Sequence, residues 1–455
     1  MVRRPLIFAA ALMALMLAAP VAGFDSARAA KPVPDTVSSS VVLIDAKTGN
    51  VLYERDMHAI KYPASLTKIM TGLLSLENLE LDRVVTIDAE TPFTKGSRIY
   101  LLEGEQVTVE QLLYALMIES ANDAAVALAK EISGTEENFA ALMNRRAKEL
   151  GALHTNFVNP NGLENDGHVT TAYDMAVIAA AAMRNPEFRK AVITYPYTLY
   201  QTNMQETRYF YNGNRLLYDE NHTVIYEEKT RPIKYADATG IKTGYTAQAG
   251  NCLAASAERG DMELIAVMMQ AEGMGAYLDA ISLFEYGFDN YASHMAAGAG
   301  APQGELRVKN GSVKTVAVAV KEDTWITMPA SASPTLLTAE PSLPEHLDAP
   351  VAEGQSVGTM RILLDGEELG VCEIVASESV PLGGPLSRLG ITDRTAGLLK
   401  KVFFSVLAVC LLLLIAYVLL RRRQIKKRKQ RRDERRARLA EEERKDAEFR
   451  RNRLG

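Results

Sequence analysis

The sequence predicts an α+β domain, then a small all-β domain, then a single helix able to cross a membrane. Three observations carry this reading. Apolar residues recur at helical spacing between about 65 and 150, with β-rich runs before and after them. Beyond residue 304 the pattern changes to short β-like runs. Residues 402–420 carry no charge, and at about 1.5 Å per residue a helix of that length covers the roughly 30 Å of bilayer hydrocarbon.

The elements follow in order. Arg3 and Arg4 precede an apolar stretch at 5–19 that is too short to span a bilayer, and Ala27-Arg28-Ala29 offers small residues for cleavage. Residues 1–29 are therefore read as a secretory signal removed before folding. In the domain at 30–292, runs at 41–44 and 51–53 flank Asp45-Ala-Lys-Thr-Gly-Asn50, a hairpin signal. Leu66, Ile69, Met70, Leu73 and Leu74 after Pro63 predict a buried amphipathic helix from near Ser65. Thr108-Val-Glu-Gln111 has the form of a capping box and starts a helix to about Ile118. Helical patterning resumes at 124–132 after a polar interruption at 120–123, and again at 135–150, where Gly151 stops it. Runs at 252–257 and 264–269 around Glu258-Arg-Gly-Asp261 predict a hairpin at the edge of a sheet that joins both ends of the domain.

The Ala- and Gly-rich stretch at 292–304 reads as a linker into the all-β domain at 304–380. That domain's best runs are 313–320, 325–328 and the pair 360–364 and 369–375, joined by Asp365-Gly366. A second linker at 381–401 leads to the span at 402–420. The tail at 421–455 holds 17 Lys and Arg against 7 Asp and Glu. Basic residues massed beside a span mark the cytoplasmic side, so the tail is expected inside and the folded domains outside. The net charge of the chain is −5, which leaves about −17 on residues 30–420. Such a body repels nucleic acid, which is excluded as a partner. Cys252, Cys372 and Cys410 lie far apart, and Cys410 falls inside the apolar run, so no disulfide framework is expected. The six histidines form no metal-ligand spacing. The sequence calls for no metal and no other cofactor.

Three short motifs carry the chemistry: Ser65-Leu-Thr-Lys68, Ser120-Ala-Asn122 and Lys242-Thr243-Gly244. Singly they are weak, since S-x-x-K and S-x-N are each expected about once by chance in a chain this long and K-T-G roughly 0.1 times. Order and context add the specificity. The helix predicted after Ser65 puts Lys68 on the same face, one turn on. Ser120 and Asn122 interrupt two helical patterns, where a loop aims side chains into a cleft. Asn122 also fits a plain helix N-cap. Lys242-Thr-Gly244 is expected just ahead of a strand pair. A further K-T-G, Lys47-Thr48-Gly49, lies upstream of the serine in a hairpin turn and serves as an internal control.

With Tyr62-Pro-Ala-Ser-Leu-Thr-Lys-Ile-Met-Thr71, Gly240-Ile-Lys-Thr-Gly-Tyr-Thr246 and Asn159-Pro-Asn-Gly-Leu163 around them, these motifs resemble the low-molecular-mass penicillin-binding proteins of the D-alanyl-D-alanine carboxypeptidase type. The resemblance runs from about Val41 to about Val380. It implies a penicillin-binding transpeptidase or β-lactamase-like fold, a β stalk and hydrolysis of a terminal D-Ala-D-Ala bond in peptidoglycan stem peptides. It also implies β-lactams as covalent inhibitors. Ser65 is then the nucleophile, Lys68 its base and Ser120 the proton relay. Asn122, Lys242, Thr243, Gly244 and Tyr245 bind substrate, and the backbone N–H groups of Ser65 and Tyr245 form the oxyanion hole. A base must be neutral, and burial beside Lys242 is expected to push the Lys68 amine in that direction. The chain departs from the family pattern at Tyr245, where relatives often carry His, and at Ala276, where an Arg before the helix that ends near Tyr286-Gly-Phe288 is common. Two alternatives stand beside this one. A serine β-lactamase is disfavoured because no E-x-x-L-N string occurs, and a non-catalytic β-lactam sensor or wall-binding protein is disfavoured by the intact motifs.

Overall fold

All six residues of β1 (Ser40–Asp45) are buried, and those of β2 (Val51–Arg55) are not. The difference follows from their places in an antiparallel five-stranded sheet. The computed structural model describes residues 31–385, 387 and 393–451, so the leader expected at 1–29 lies outside the described residues. The chain forms two compact units. The larger comprises the chain up to Ala297 with 323–340 and 361–371, and the smaller holds 298–322, 341–360 and the remainder from Cys372.

In the larger unit, β1 and β2 are joined by the expected turn, where Gly49 takes a φ of 77° and donates its N–H to the Asp45 carbonyl. Six helices follow: α1 (Thr67–Asn78), α2 (Val109–Ile118), α3 (Asn122–Ser133), α4 (Glu136–Leu150), α5 (Ala172–Met183) and α6 (Pro186–Ile193). The chain then returns as β3 (Ala238–Thr246), β4 (Gly250–Arg259) and β5 (Met262–Ala271), and closes with α7 (Gly275–Asn290). The spatial order is β2-β1-β5-β4-β3. Side chains alternate across the sheet, as the two-residue period requires. Val42, Ile44, Ile265, Val267 and Met269 join the core under α1 to α6, while Val41, Leu43, Leu264, Ala266 and Met268 join a second core with Ile281 and Phe284 of α7. The result is a sheet sandwiched between helical layers. Gly287 permits that contact, since a Cβ there would stand 2.6 Å from Leu264.

The β4–β5 hairpin therefore lies inside the sheet and not at its edge. The uninterrupted apolar run at 264–269 is the signature of a strand covered on both faces. The edge on that side belongs to β3, which contains Lys242-Thr-Gly244; that motif sits within a strand, not ahead of one. The predicted helix signals hold. Thr108 and Gln111 form a capping box at α2, Thr135 caps α4, and Gly151 ends it in the left-handed conformation. Helix α3 begins at Asn122, two residues earlier than the apolar pattern suggests. The polar side chains of Asn122 and Asp123 turn inward to the 95–101 backbone, so polarity there does not mark a break.

The stretch at 292–304 is not a featureless linker. Tyr291–Ala297 forms a strand antiparallel to Thr324–Pro329 within the larger unit. The buried Asp45 accepts hydrogen bonds from Ser293 Oγ (2.6 Å) and Thr327 Oγ1 (2.7 Å), which a composition reading has no means to see. In the smaller unit, Pro302–Lys309 and Thr315–Val320 pair antiparallel, the latter also with the end of Glu367–Ala376, and His346–Asp348 adds in parallel. Asp393–Arg451 is one continuous helix, so it takes in the end of the stretch expected as a linker as well as the apolar span and most of the basic tail. It is long and apolar enough to cross a membrane.

Candidate active site

Ser65 lies in a single turn of 3-10 helix, Ala64–Leu66, directly ahead of α1. Ala64 takes a left-handed φ of 49°. One turn into α1, Lys68 is wholly buried, and its Nζ stands 2.9 Å from Ser65 Oγ and donates to the Asn161 carbonyl at 2.7 Å. The carbonyl is presented by an Asx-stabilised loop. Asn159 Oδ1 accepts from Gly162 N, Asn161 Oδ1 accepts from Leu163 N, and Thr71 Oγ1 holds the Pro160 carbonyl at 2.6 Å. An apolar helix thus carries one buried amine with one acceptor and one hydroxyl.

Edge strand β3 runs past this turn. A Cβ on Gly244 would stand 3.0 Å from Ser65 N and 3.2 Å from Ala64 Cβ, so glycine permits the approach of strand to turn. Lys242, only 2 % exposed, directs Nζ to the Thr243 carbonyl at 3.1 Å. Thr243 Oγ1 lies beside Gly213. Tyr245 is 68 % exposed at the sheet edge. Ala276 is buried in the first turn of α7, in the core and not ahead of the helix.

The third wall is the turn between α2 and α3. Ser120 adopts a left-handed φ of 59°, a conformation that costs a residue with a Cβ about 1–2 kcal/mol. Asn122 is not the N-cap, a place held by Ala121. Its side chain donates to the Lys95 carbonyl at 2.7 Å and its N–H to the Ser97 carbonyl at 2.7 Å, fastening a loop to the turn. Asp123 is buried and accepts N–H groups of Ile99 and Leu101.

The electrostatics tie the three walls together. Burial pushes the Lys68 amine well below the ordinary lysine range, the charge of Lys242 adds to this, and Asp123 opposes it. Burial also lowers Lys242, to about 7, against the pull of Glu119. Two cations in one dry site cannot both keep their protons cheaply, so the pair favours a neutral amine at Lys68. A neutral amine 2.9 Å from a hydroxyl is the arrangement of a base and its nucleophile. The first and third motifs thus meet at Ser65, the second is tied to them through the charges beside it, and the structure adds groups that the motifs omit: the Asn161 carbonyl, Asp123 and Glu119. A backbone acceptor has no residue signature, although Asn159-Pro-Asn-Gly is a turn-forming string that announces carbonyls outside helix or sheet pairing.

The fold and this arrangement define a serine acyl-transfer enzyme of the S-x-x-K type. Residues 26–273 match the family model described as D-alanyl-D-alanine carboxypeptidase, and residues 291–382 match the C-terminal domain of penicillin-binding protein 5. The D-alanyl-D-alanine carboxypeptidase DacF of Bacillus subtilis is 34 % identical over 367 residues, 79 % of this chain and 89 % of DacF. DacD of Salmonella typhimurium is 32 % identical over 402 residues, 86 % of this chain and 98 % of its own. Crystal structures of penicillin binding protein 5 from Haemophilus influenzae superpose with a TM-score of 0.64 at 30 % identity, covering 77 % of this chain and 99 % of that one. The chain belongs to the D-alanyl-D-alanine carboxypeptidase family of serine hydrolases, the low-molecular-mass penicillin-binding proteins.

Proposed function

We propose that the chain removes the terminal D-alanine from peptidoglycan stem pentapeptides through an acyl-enzyme on Ser65. The observation that carries this is the buried Lys68 amine beside the Ser65 hydroxyl, with a second buried lysine lowering its proton affinity. Ser65 Oγ attacks the carbonyl between the two D-alanines and passes its proton to Lys68. The C–N bond then breaks, and the departing amine takes a proton relayed by Ser120. Water attacks the resulting ester, and Ser65 recovers its proton. Lys242 and Thr243 hold the substrate's terminal carboxylate, Asn122 and Tyr245 flank the peptide, and Gly244 leaves room for it. The N–H groups of Ser65 and Tyr245 receive the oxyanion, a contribution of about 3–4 kcal/mol per donor in comparable enzymes. A β-lactam acylates the same serine and is released slowly.

The same reading assigns residues 30–292 to the peptidase domain and 304–380 to a stalk. Residues 402–420 anchor the chain in the cell membrane, with the peptidase domain outside and the basic tail at 421–455 in the cytoplasm. Labelled penicillin and mass spectrometry of a treated pentapeptide test the assignment. Wild-type protein is expected to be labelled at Ser65 and to release D-alanine, and Ser65→Ala to do neither. Equal labelling of Ser65→Ala sinks it.

A further inference from the structure

His168 is 2 % exposed behind the nucleophile turn, packed edge-on against Phe157 with ring centroids 5.6 Å apart. Both of its ring nitrogens are engaged. Nδ1 accepts the Val158 N–H at 3.1 Å and so carries no proton of its own. Nε2 lies 2.8 Å from Thr67 Oγ1. The single Thr67 hydroxyl hydrogen goes to the Ala64 carbonyl, also at 2.8 Å, which leaves an Oγ1 lone pair to accept from Nε2–H. One neutral tautomer satisfies every member of this chain. Burial, and then the charge of Lys68, hold the imidazole down at about 4, so it stays in that form at ordinary pH.

The chain ends on an unusual residue. Ala64 is left-handed, a state that a residue with a Cβ leaves unless it is held. Its carbonyl is fixed between the Thr67 hydroxyl and the backbone at Gly162, where an added Cβ would come within 1.8 Å. Ser65 follows immediately. The loop that carries Gly162 also supplies the Asn161 carbonyl to Lys68. One segment, 159–168, therefore supports the base directly and the nucleophile turn through Thr67.

We propose that His168 is a positioning residue: through the Thr67 hydroxyl it locks the left-handed Ala64 and so sets Ser65 Oγ against Lys68. This rests on Ser65 and Lys68 acting as nucleophile and base. The test uses the full chain and the rate constant for acylation by labelled penicillin, with the labelled fraction at saturation counting correctly folded sites. Thr67→Val removes the hydroxyl at constant shape and is expected to slow acylation about 10- to 100-fold, the scale on which small misplacements act, with initial non-covalent affinity little changed. Thr67→Ser restores the hydroxyl and recovers a rate close to wild type. His168→Gln can still donate from the place of Nε2, whereas the shorter His168→Asn reaches only the place of Nδ1 beside Val158, so Gln is expected to be the faster of the two. A wild-type rate in Thr67→Val, equal impairment of Thr67→Val and Thr67→Ser, or Asn as fast as Gln overturns the proposal. Absence of labelling at Ser65 in the wild type would instead overturn the functional reading beneath it.

Discussion

The tripeptide Lys-Thr-Gly occurs twice in the larger unit, and the two copies share nothing but their letters. Lys47 lies in the β1–β2 turn, its Nζ on the Asp261 carbonyl at 2.5 Å and 3.7 Å from the centre of the Trp325 ring. Gly49 there is left-handed, with open space where a Cβ would stand. Lys242 is buried in an edge strand among other ionisable groups, its proton affinity lowered to about 7. Gly244 is extended and pressed against the Ser65 backbone. One glycine serves a turn, the other an approach of two backbones. Chemistry follows from burial and neighbours, and the string is only a pointer to them.

Substitutions in pairs break or sharpen this contrast. The largest effect is expected at the lysines. Lys242→Gln should lower carboxypeptidase turnover about 100-fold or more, as loss of a preorganised charge does, while Lys47→Gln leaves turnover near wild type. Penicillin acylation by Lys242→Gln should also reach its half-maximal rate at a higher pH. Below about 7 the Lys242 charge holds the Lys68 proton affinity down, and without it Lys68 keeps its proton to a higher pH. An unmoved pH profile would show that burial alone sets Lys68.

Next come the glycines. Gly244→Ala forces a Cβ to within 3.0 Å of Ser65 N and should slow acylation without lowering thermal stability in proportion. Gly49→Ala should do the reverse, costing about 1–2 kcal/mol in denaturant titration because its backbone is left-handed, with acylation per folded site unchanged. The smallest effect belongs to Glu119, an exposed carboxylate that supports the Lys242 charge. In Glu119→Gln the alkaline loss of D-alanine release should begin at a slightly lower pH, read from a pH–rate profile at low salt, where screening is weakest.

The same contrast explains how much was legible beforehand. Local signals were read well: the Thr108 capping box, the Gly151 stop and both hairpins depend on residues a few positions apart. The three motifs are legible because the proposed chemistry resides in side chains that the sequence spells out. Illegible features depend on distant partners. The interior position of β4–β5 is set by β1, more than two hundred residues upstream. The strand at Tyr291–Ala297 is read as a linker until its partner Thr324–Pro329 is known. The Asn161 carbonyl and the His168–Thr67–Ala64 chain have no composition signal, since the acceptors at Asn161 and Ala64 are backbone carbonyls and the other partners are ordinary core polar residues.

The lowered Lys242 has a thermodynamic corollary. At neutral pH it is protonated in only part of the population, and on the proposed reading an incoming carboxylate selects that part. Capture of substrate then draws a hydrogen ion from solvent, and the ligand's grip slackens in alkaline medium. On that reading the alkaline limit of the working range is set at recognition, by the amine that must keep its charge.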